Sequence, residues 1–316
     1  MWRPRLDRVV VGMREEHAIR IGLSGWDYPA WQGDFYPRGL PARERLPFAA
    51  QHFPTIEVNG SFYSLQRPST YERWRDATPA GFCFALKGGR YITHLRRLRD
   101  VEQGLANFFA SGPLALGRKL GPVLWQLPAA MTFEEETVRR FLALLPTSMA
   151  AASALGSRHD AKLKGRAHVA YEENLPIRHA LEPRNPSFDT AEFRGLLADR
   201  DMAFVVSDSP RWPLFEPGPA TFTYVRLHGH SELYASRYSS RSLDQWAERC
   251  RTWARGGPVF VYFDNDARGH APRDALRLME RLDGLPETAP TGGSTGGAER
   301  DRAGRRANRP SAPPRP

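Results

Sequence analysis

Ile19–Pro37 reads IRIGLSGWDYPAWQGDFYP, and the change of pattern inside it decides how the rest of the chain is read. Ile19, Ile21 and Leu23 alternate with Arg20, Gly22 and Ser24, which is the period-2 signature of a strand. The strand runs directly into GWDYPAWQGDFYP, where Gly25, Trp26, Tyr28, Trp31, Phe35 and Tyr36 put more aromatic surface into one loop than a connector needs. Such a loop either presents flat apolar surface to a ligand or packs on its own domain.

The same strand-then-helix unit recurs about eight times. A helix over Arg43–Phe53 leads to TIEVNGSFY, in which Ile56 and Val58 oppose Glu57 and Asn59. A short helix around Tyr71–Ala77 precedes FCFALKGG, whose alternation puts Lys87 on the polar side with Cys83 and Ala85. Leu98–Ala110 reads as a helix, PVLWQLP as a fourth strand ending in Gln126, and Phe133–Leu145 as a helix with Glu134, Glu135 and Glu136 in its first turn. HALEPRNPSF is the fifth strand, closing with Glu182 and Arg184, and a helix capped by Asp189 follows over Ala191–Asp199. MAFVVSDSP ends at Ser207 and Asp208, and Pro210–Ala220 is an irregular crossover. FTYVRLHGH sets Tyr224, Arg226 and His228 on one face. A helix over Ser242–Ala254, the strand PVFVYFDND ending in Asp264, Asn265 and Asp266, and a helix over Pro272–Leu282 complete the series.

This alternation predicts an α/β fold, a single (β/α)8 TIM-type barrel over residues 19–286. An open doubly wound sheet is the alternative, but its central strands would be apolar on both faces, whereas most strands here keep one polar or small face. No glycine-rich nucleotide fingerprint follows any strand. Residues 1–18 read as a disordered leader, or as sequence upstream of a start at Met13. Residues 287–316 read as a disordered Arg/Pro/Gly-rich tail. The basic stretch 148–177, with SRHDAKLKGR, reads as a surface insertion before the fifth strand.

At 316 residues, 41% of them hydrophobic, the chain can bury a full core. The two cysteines are far apart in sequence and no apolar run spans a bilayer, so a cytoplasmic protein is expected, with no membrane partner. The net charge of +10 falls to +6 between Ile19 and Pro286, because the tail holds +3 and the leader +1. That is weak support for a polyanion partner.

In a barrel the strand C-termini face one mouth. They bring Ser24, Glu57, Asn59, Lys87, Gln126, Glu182, Arg184, Asp208, Arg226, His228, Asp264 and Asp266 to it, with carboxylates and cations nearly matched. Arg184, Arg226 and Lys87 are candidates to hold a phosphate or carboxylate. Glu182, Asp264 and His228 are the acid–base candidates. Glu57, deeper in its strand, fits a structural ion pair better. No metal-ligand spacing and no nucleophile elbow is present, so no metal and no cofactor are expected.

The segments GLSGWDYPAWQGDFYP, EVNGSFY, FALKGGRYITH, KLGPVLWQLP, LEPRNPSF, YVRLHG and VYFDND, in this order, resemble the DUF72 family over Ile19–Leu282. The resemblance implies a TIM barrel and a site at its mouth, and supplies no chemistry. It carries over at Gly25, Trp26, Trp31, Phe35, Tyr36, Glu57, Asn59, Phe62, Tyr63, Lys87, Gln126, Pro128, Glu182, Arg184, Arg226, His228, Gly229 and Asp266. Two places depart from the usual pattern: Glu182-Pro183-Arg184-Asn185 stands where E-F-R-H is usual, and Asp264 stands where Asn is usual. Asn185 cannot shuttle a proton.

The expectation for function is a hydrolase or lyase acting on a small phosphorylated or otherwise anionic ligand. Ser24, Trp26, Asn59, Tyr63, Lys87, Gln126, Arg184, Asp208, Arg226 and Asp266 would bind it, and the aromatic loop would cover it. The alternatives are nucleic-acid binding, with or without strand cleavage, in which Trp26, Tyr28, Trp31 and Phe62 stack bases while the basic insertion near Lys162, Lys164 and Arg166 and the Arg-rich tail add non-specific attraction, and a non-catalytic scaffold for a partner. The oligomeric state is left open.

Overall fold

The computed structural model describes residues 19–283. The expected disordered leader and tail lie outside the described residues. Strands β1 (Ile19–Ser24), β2 (Thr55–Val58), β3 (Cys83–Lys87), β4 (Leu120–Gln126), β5 (His179–Glu182), β6 (Ala203–Phe204), β7 (Val206–Asp208), β8 (Thr223–Leu227) and β9 (Val259–Phe263) form one sheet. Its order is β6-β5-β4-β3-β2-β1-β9-β8-β7, with every pairing parallel. β6 and β7 are two halves of the sixth strand, parted at Val205, whose amide still donates to Leu181 O at 3.0 Å. The two ends of the sheet are thus neighbours in sequence, so nine segments occupy eight strand positions of a closing barrel.

Helices α1 (Ala42–Ala50), α2 (Gly60–Tyr63), α3 (Pro68–Asp76), α4 (Glu102–Ala110), α5 (Glu135–Leu144), α6 (Met149–Gly156), α7 (Ala191–Ala198), α8 (Ser240–Ala254) and α9 (His270–Asp283) follow the strands, with α2 and α3 together after β2, α5 and α6 together after β4, and an irregular segment between β7 and β8. Two large apolar clusters lie between strands and helices, one holding Phe84, Trp125 and Phe141, the other Val261, Trp246 and Leu278. A third fills the barrel itself: Ala85, Leu124, Ala180, Val205, Tyr224 and Tyr262. Because side chains alternate along a strand, the residues two positions further on, Lys87, Gln126, Glu182, Ser207, Arg226 and Asp264, also point inward, one layer nearer the mouth. Sequence periodicity therefore places these side chains at the mouth directly.

The stretch 148–177 lies largely at the surface before β5, as expected, and is anchored through α6, where Met149 and Ala152 are buried, and through His168 N, which donates to Ala110 O at the end of α4. Two expectations need correction. The helix after β5 is capped by Thr190, whose Oγ1 accepts from Phe193 N at 3.1 Å, while Asp189 pairs with Arg194. The helical turns expected from Leu98 are a π-helical turn over Tyr91–Leu95 and then α4, with Arg97, Leu98 and Asp100 at positive φ between them.

Candidate functional site

Arg226 is the centre of the mouth. It is fully buried, and its guanidinium donates to Glu57 twice (Nε–Oε2 3.0 Å, Nη2–Oε1 2.8 Å), to Glu182 Oε2 at 2.9 Å and to Asp264 Oδ2 at 3.0 Å. Ser24 Oγ accepts a further bond at 3.2 Å and donates to Glu57, while Tyr224 OH donates to Glu57 Oε2 at 2.7 Å. An arginine whose donors are already taken by three carboxylates has none left for a ligand. The expectation that Arg226 binds an anion is corrected: it holds the carboxylates together. Glu57 takes the structural part expected of it.

Glu182 is buried and accepts at Oε1 from Arg184 and Ser207. Burial alone would raise its pKa, but Arg184 and Arg226 hold the carboxyl well below the usual range. Asp264 behaves alike: burial opposes ionisation, Arg226 overrides it, and the pKa falls to about 2. Both groups are thus held as carboxylates at neutral pH, which suits the base half of the expected acid–base role rather than the acid half. His228 is buried with Nδ1 2.9 Å from Asp264 Oδ2, close but outside hydrogen-bonding geometry, and its Nε2 is 3.2 Å from Arg226 Nη1. It is wedged into the ion cluster.

The groups with adjustable protons sit around this cluster. Asp266 follows β9 at the rim; burial and the negative charge of Asp264 raise its pKa to about 6. Tyr28 lies beside it and donates to Ser24 O at 2.8 Å. Lys87 ends β3 and is nine-tenths buried, with its ammonium 4.4 Å from the centroid of the Phe62 ring. Burial, then Arg226, lowers its pKa to about 8 against the pull of Glu57, Glu182 and Asp264. Among the described residues the Lys87 amine makes no hydrogen bond and no ion pair. Gly88 fixes this position: a Cβ there would lie 2.2 Å from Trp125 Cε3, so only glycine lets the chain turn over the indole directly after Lys87.

Of the other expected ligand-binding residues, Gln126 is buried beside His94, and Asn59 donates to Ser24 Oγ and O. Arg184 stacks 3.8 Å over Trp212 and stays partly exposed. Asp208 is corrected: it points outward, accepting from Tyr238 OH at 2.8 Å, and Ser207 takes the inward place. Trp26 packs edge-to-face on Trp74 of α3 at 5.3 Å and stays partly exposed. Trp31 and Tyr36 are buried within the same loop, which packs on its own domain and leaves Tyr28 to reach the mouth. Tyr63 is exposed and lines a rim cavity of about 360 Å³ with Phe62, Arg90, Tyr91, Lys162 and Arg166. The residues of the ion cluster do not line that cavity, but Phe62 lines it and also faces the Lys87 ammonium.

Sequence reasoning missed His94, Trp212 and Tyr234. His94 packs against Phe62 at 5.1 Å, and burial and Lys87 push its pKa down to about 4, so it is neutral. Trp212 donates to Ser207 Oγ from the irregular crossover, and Tyr234 packs on His228 at 5.5 Å. All three sit on segments without periodicity. Among the described residues no group of three or more His, Cys, Asp or Glu is arranged to hold a metal; the three convergent carboxylates surround a guanidinium. The departure at Asn185 has a local use: Oδ1 accepts from Ser187 N and Nδ2 donates to Ala129 O, which fixes the turn after β5.

Residues 20–294 match the family described as "Protein of unknown function DUF72". The chain is 26% identical over 271 residues to UPF0759 protein YecE of Escherichia coli, covering 84% of this chain and 92% of that one. It is 24% identical over 301 residues to UPF0759 protein YunF of Bacillus subtilis, covering 84% and 95%. The crystal structure of a DUF72 family protein from Thermotoga maritima superposes with a TM-score of 0.67 at 24% identity, covering 84% of this chain and 100% of that one. With the ordered motifs, the matched span and the barrel in agreement, the chain belongs to the DUF72 family.

Proposed function

We propose that this barrel is an enzyme, a hydrolase or lyase, acting on a phosphorylated or other small anionic substrate at the C-terminal mouth. One observation carries the reading: the Lys87 amine is nine-tenths buried with no hydrogen bond and no counter-ion of its own among the described residues. A buried unpaired ammonium costs several kcal/mol, on the order of what an incoming anion would recover by pairing with it. Lys87 and the partly exposed face of Arg184 bind the anion, and Asp266 moves the proton. Glu182, Asp264 and Arg226 hold the frame in which these groups are oriented. Two free cysteines, Cys83 and Cys250, suit a reducing cytoplasm.

A panel of phosphate esters and sugar phosphates tests this by thermal stabilisation and turnover. Wild-type protein is stabilised by at least one of them and the K87M variant is not. Absence of both stabilisation and turnover across the panel overturns the reading.

A second reading, nucleic-acid binding, is favoured by the rim cavity alone, where Arg90, Lys162 and Arg166 meet the exposed Tyr63 and Tyr91. Reversing Lys162 and Arg166 to Glu in the full chain abolishes oligonucleotide binding on this reading and leaves it unchanged if the cavity is not the binder.

A further inference from the structure

The chain uses four lysines against 41 arginines. Lys119 is a structural tie, donating to Arg75 O, Thr78 O and Thr78 Oγ1, and Lys162 lies 5.2 Å from the Tyr91 ring centroid on the rim. Lys164 occupies a left-handed turn position at the surface. The fourth, Lys87, is the cation inside the barrel mouth, where the neighbouring cations Arg184 and Arg226 are both arginine. An arginine at 87 would bring more donors to an anion and a charge that cannot be lost; what lysine adds is an amine able to shed its proton.

We propose that Lys87 is a nucleophile that forms a Schiff base with an aldehyde or ketone group of the substrate. The inference rests on the anionic-substrate reading above and narrows the substrate to an anionic carbonyl compound. Its physical basis is the setting of the amine: buried, facing Phe62 on one side, and, among the described residues, without a hydrogen bond or ion pair that would keep its lone pair protonated. With the pKa lowered to about 8, about a tenth of the amine is neutral at pH 7, several hundred times the fraction of an ordinary lysine. His94, on the same phenyl ring, is neutral and adds no further positive charge.

The neutral amine donates its electron pair to the carbonyl carbon, and the carbonyl oxygen takes a proton. The resulting carbinolamine loses water, and nitrogen and carbon share the double bond of a cationic iminium. That iminium carries the same single charge as the ammonium it replaces, so the set Lys87, Arg184 and Arg226 facing Glu57, Glu182 and Asp264 keeps its balance. The iminium draws electrons from the adjacent carbon, which favours cleavage of a bond there, the lyase half of the proposed activity. That cleavage leaves the bond's electron pair on the adjacent carbon as a neutral enamine, while the departing fragment closes its own carbonyl group by giving its hydroxyl proton to the Asp266 carboxylate. The enamine carbon then takes a proton back, which restores the iminium; water adds to the iminium carbon, and release of the carbonyl product restores the amine.

The full chain is incubated with glyceraldehyde 3-phosphate, with glyceraldehyde, or with glycerol 3-phosphate, each with and without sodium borohydride, and adducts are located by peptide mass spectrometry. The expected result is a reduced adduct from glyceraldehyde 3-phosphate at Lys87, at least tenfold over Lys119, Lys162 and Lys164, formed faster as pH rises toward 8. Adduct at Lys87 is lost in K87R, whose fold is checked by its melting curve; should K87R not fold, the pH dependence in the wild-type chain decides. No adduct at Lys87 from either aldehyde, or labelling spread evenly over the four lysines, overturns the proposal. Stabilisation by glycerol 3-phosphate without any Lys87 adduct overturns it while leaving the anionic-substrate reading standing. Equal labelling by both aldehydes, with no stabilisation by glycerol 3-phosphate, upholds the amine and removes the anion.

Discussion

Replacing Arg226 with methionine removes one side chain and leaves three buried carboxylates without their shared cation. Glu57 and Glu182 are fully buried and Asp264 nearly so, and Arg226 donates to all three at 2.8–3.0 Å. Removing one partner of a buried ion pair costs about 3–5 kcal/mol. The loss is not three times that figure, because one guanidinium serves all three and an unpaired carboxyl escapes part of the penalty by taking up a proton. The expected loss is therefore about 3–5 kcal/mol at pH 7, a large share of the roughly 5–15 kcal/mol typical of a folded domain. Urea unfolding of wild-type and R226M proteins at pH 7 and pH 4.5 measures it. The sign with pH follows from the carboxylates. With Arg226 present, Asp264 is depressed to about 2, so its contribution is complete above its ordinary pKa near 3.8 and is lost as pH falls through about 2. Without Arg226 the same groups become hard to ionise, and the variant loses stability as pH rises. The gap between the two proteins is thus widest at pH 7 and narrows toward pH 4.5. Adding E57Q to R226M should return at least about 1 kcal/mol, since a neutral amide tolerates the missing charge better. A loss under about 1 kcal/mol with an unchanged denaturant slope would refute the account of Arg226 as the tie at the centre of the barrel.

Asp266 is held above its ordinary pKa at about 6, so the wild-type fold loses stability as pH rises from about 3.8 to 6. D266N should stabilise by on the order of 1–2 kcal/mol at pH 7, allowing for its partial exposure, and by nothing at pH 3.5, while removing the acid limb of any pH–rate profile; urea titrations at the two pH values check this. D264N removes a charge that favours protonated Lys87, so the midpoint of pH-dependent amine labelling at Lys87 should move below that of the wild type. T190A should cost about 1 kcal/mol through loss of the α7 cap, against less than about 0.5 kcal/mol for D189A, which breaks an exposed ion pair; thermal melts separate the two.

The barrel was legible because it is written in short-range pattern. Ala85 and Lys87, Leu124 and Gln126, and Tyr224 and Arg226 each share a face by period 2, and the inward set follows from that alone. A slip of one residue is enough to lose a position: Asp208 drew attention as the charged end of its strand, yet its neighbour Ser207 points inward. The loop after β1 was ambiguous for a different reason. Aromatic content gives the same signal whether the rings face a ligand or each other, and here Trp31, Phe35, Tyr36 and Phe48 face each other. His94 and Trp212 were out of reach because a π-helical turn and a proline-rich crossover have no repeat from which direction can be read. Nor does sequence rank three carboxylates by acidity. Glu182 and Asp264 are held ionised by Arg184 and Arg226, while Asp266, two residues from Asp264, is pushed the other way by that same charge.

The two departures from the usual family pattern are consistent with this arrangement. Asn185 stands where a titratable histidine is usual and is used to fix the turn after β5, so the site does not depend on a proton there. Asp264, where asparagine is usual, supplies the third carboxylate against Arg184, Arg226 and Lys87. An uncharged residue at 264 would leave one cation in excess inside the barrel, where an unpaired ion costs several kcal/mol or gives up its charge. Neither arginine can give up its proton, so the excess would fall on Lys87. The carboxylate at 264 therefore keeps part of the Lys87 amine protonated, and in the proposed reaction the half-buried Asp266 beside it carries the movable proton instead.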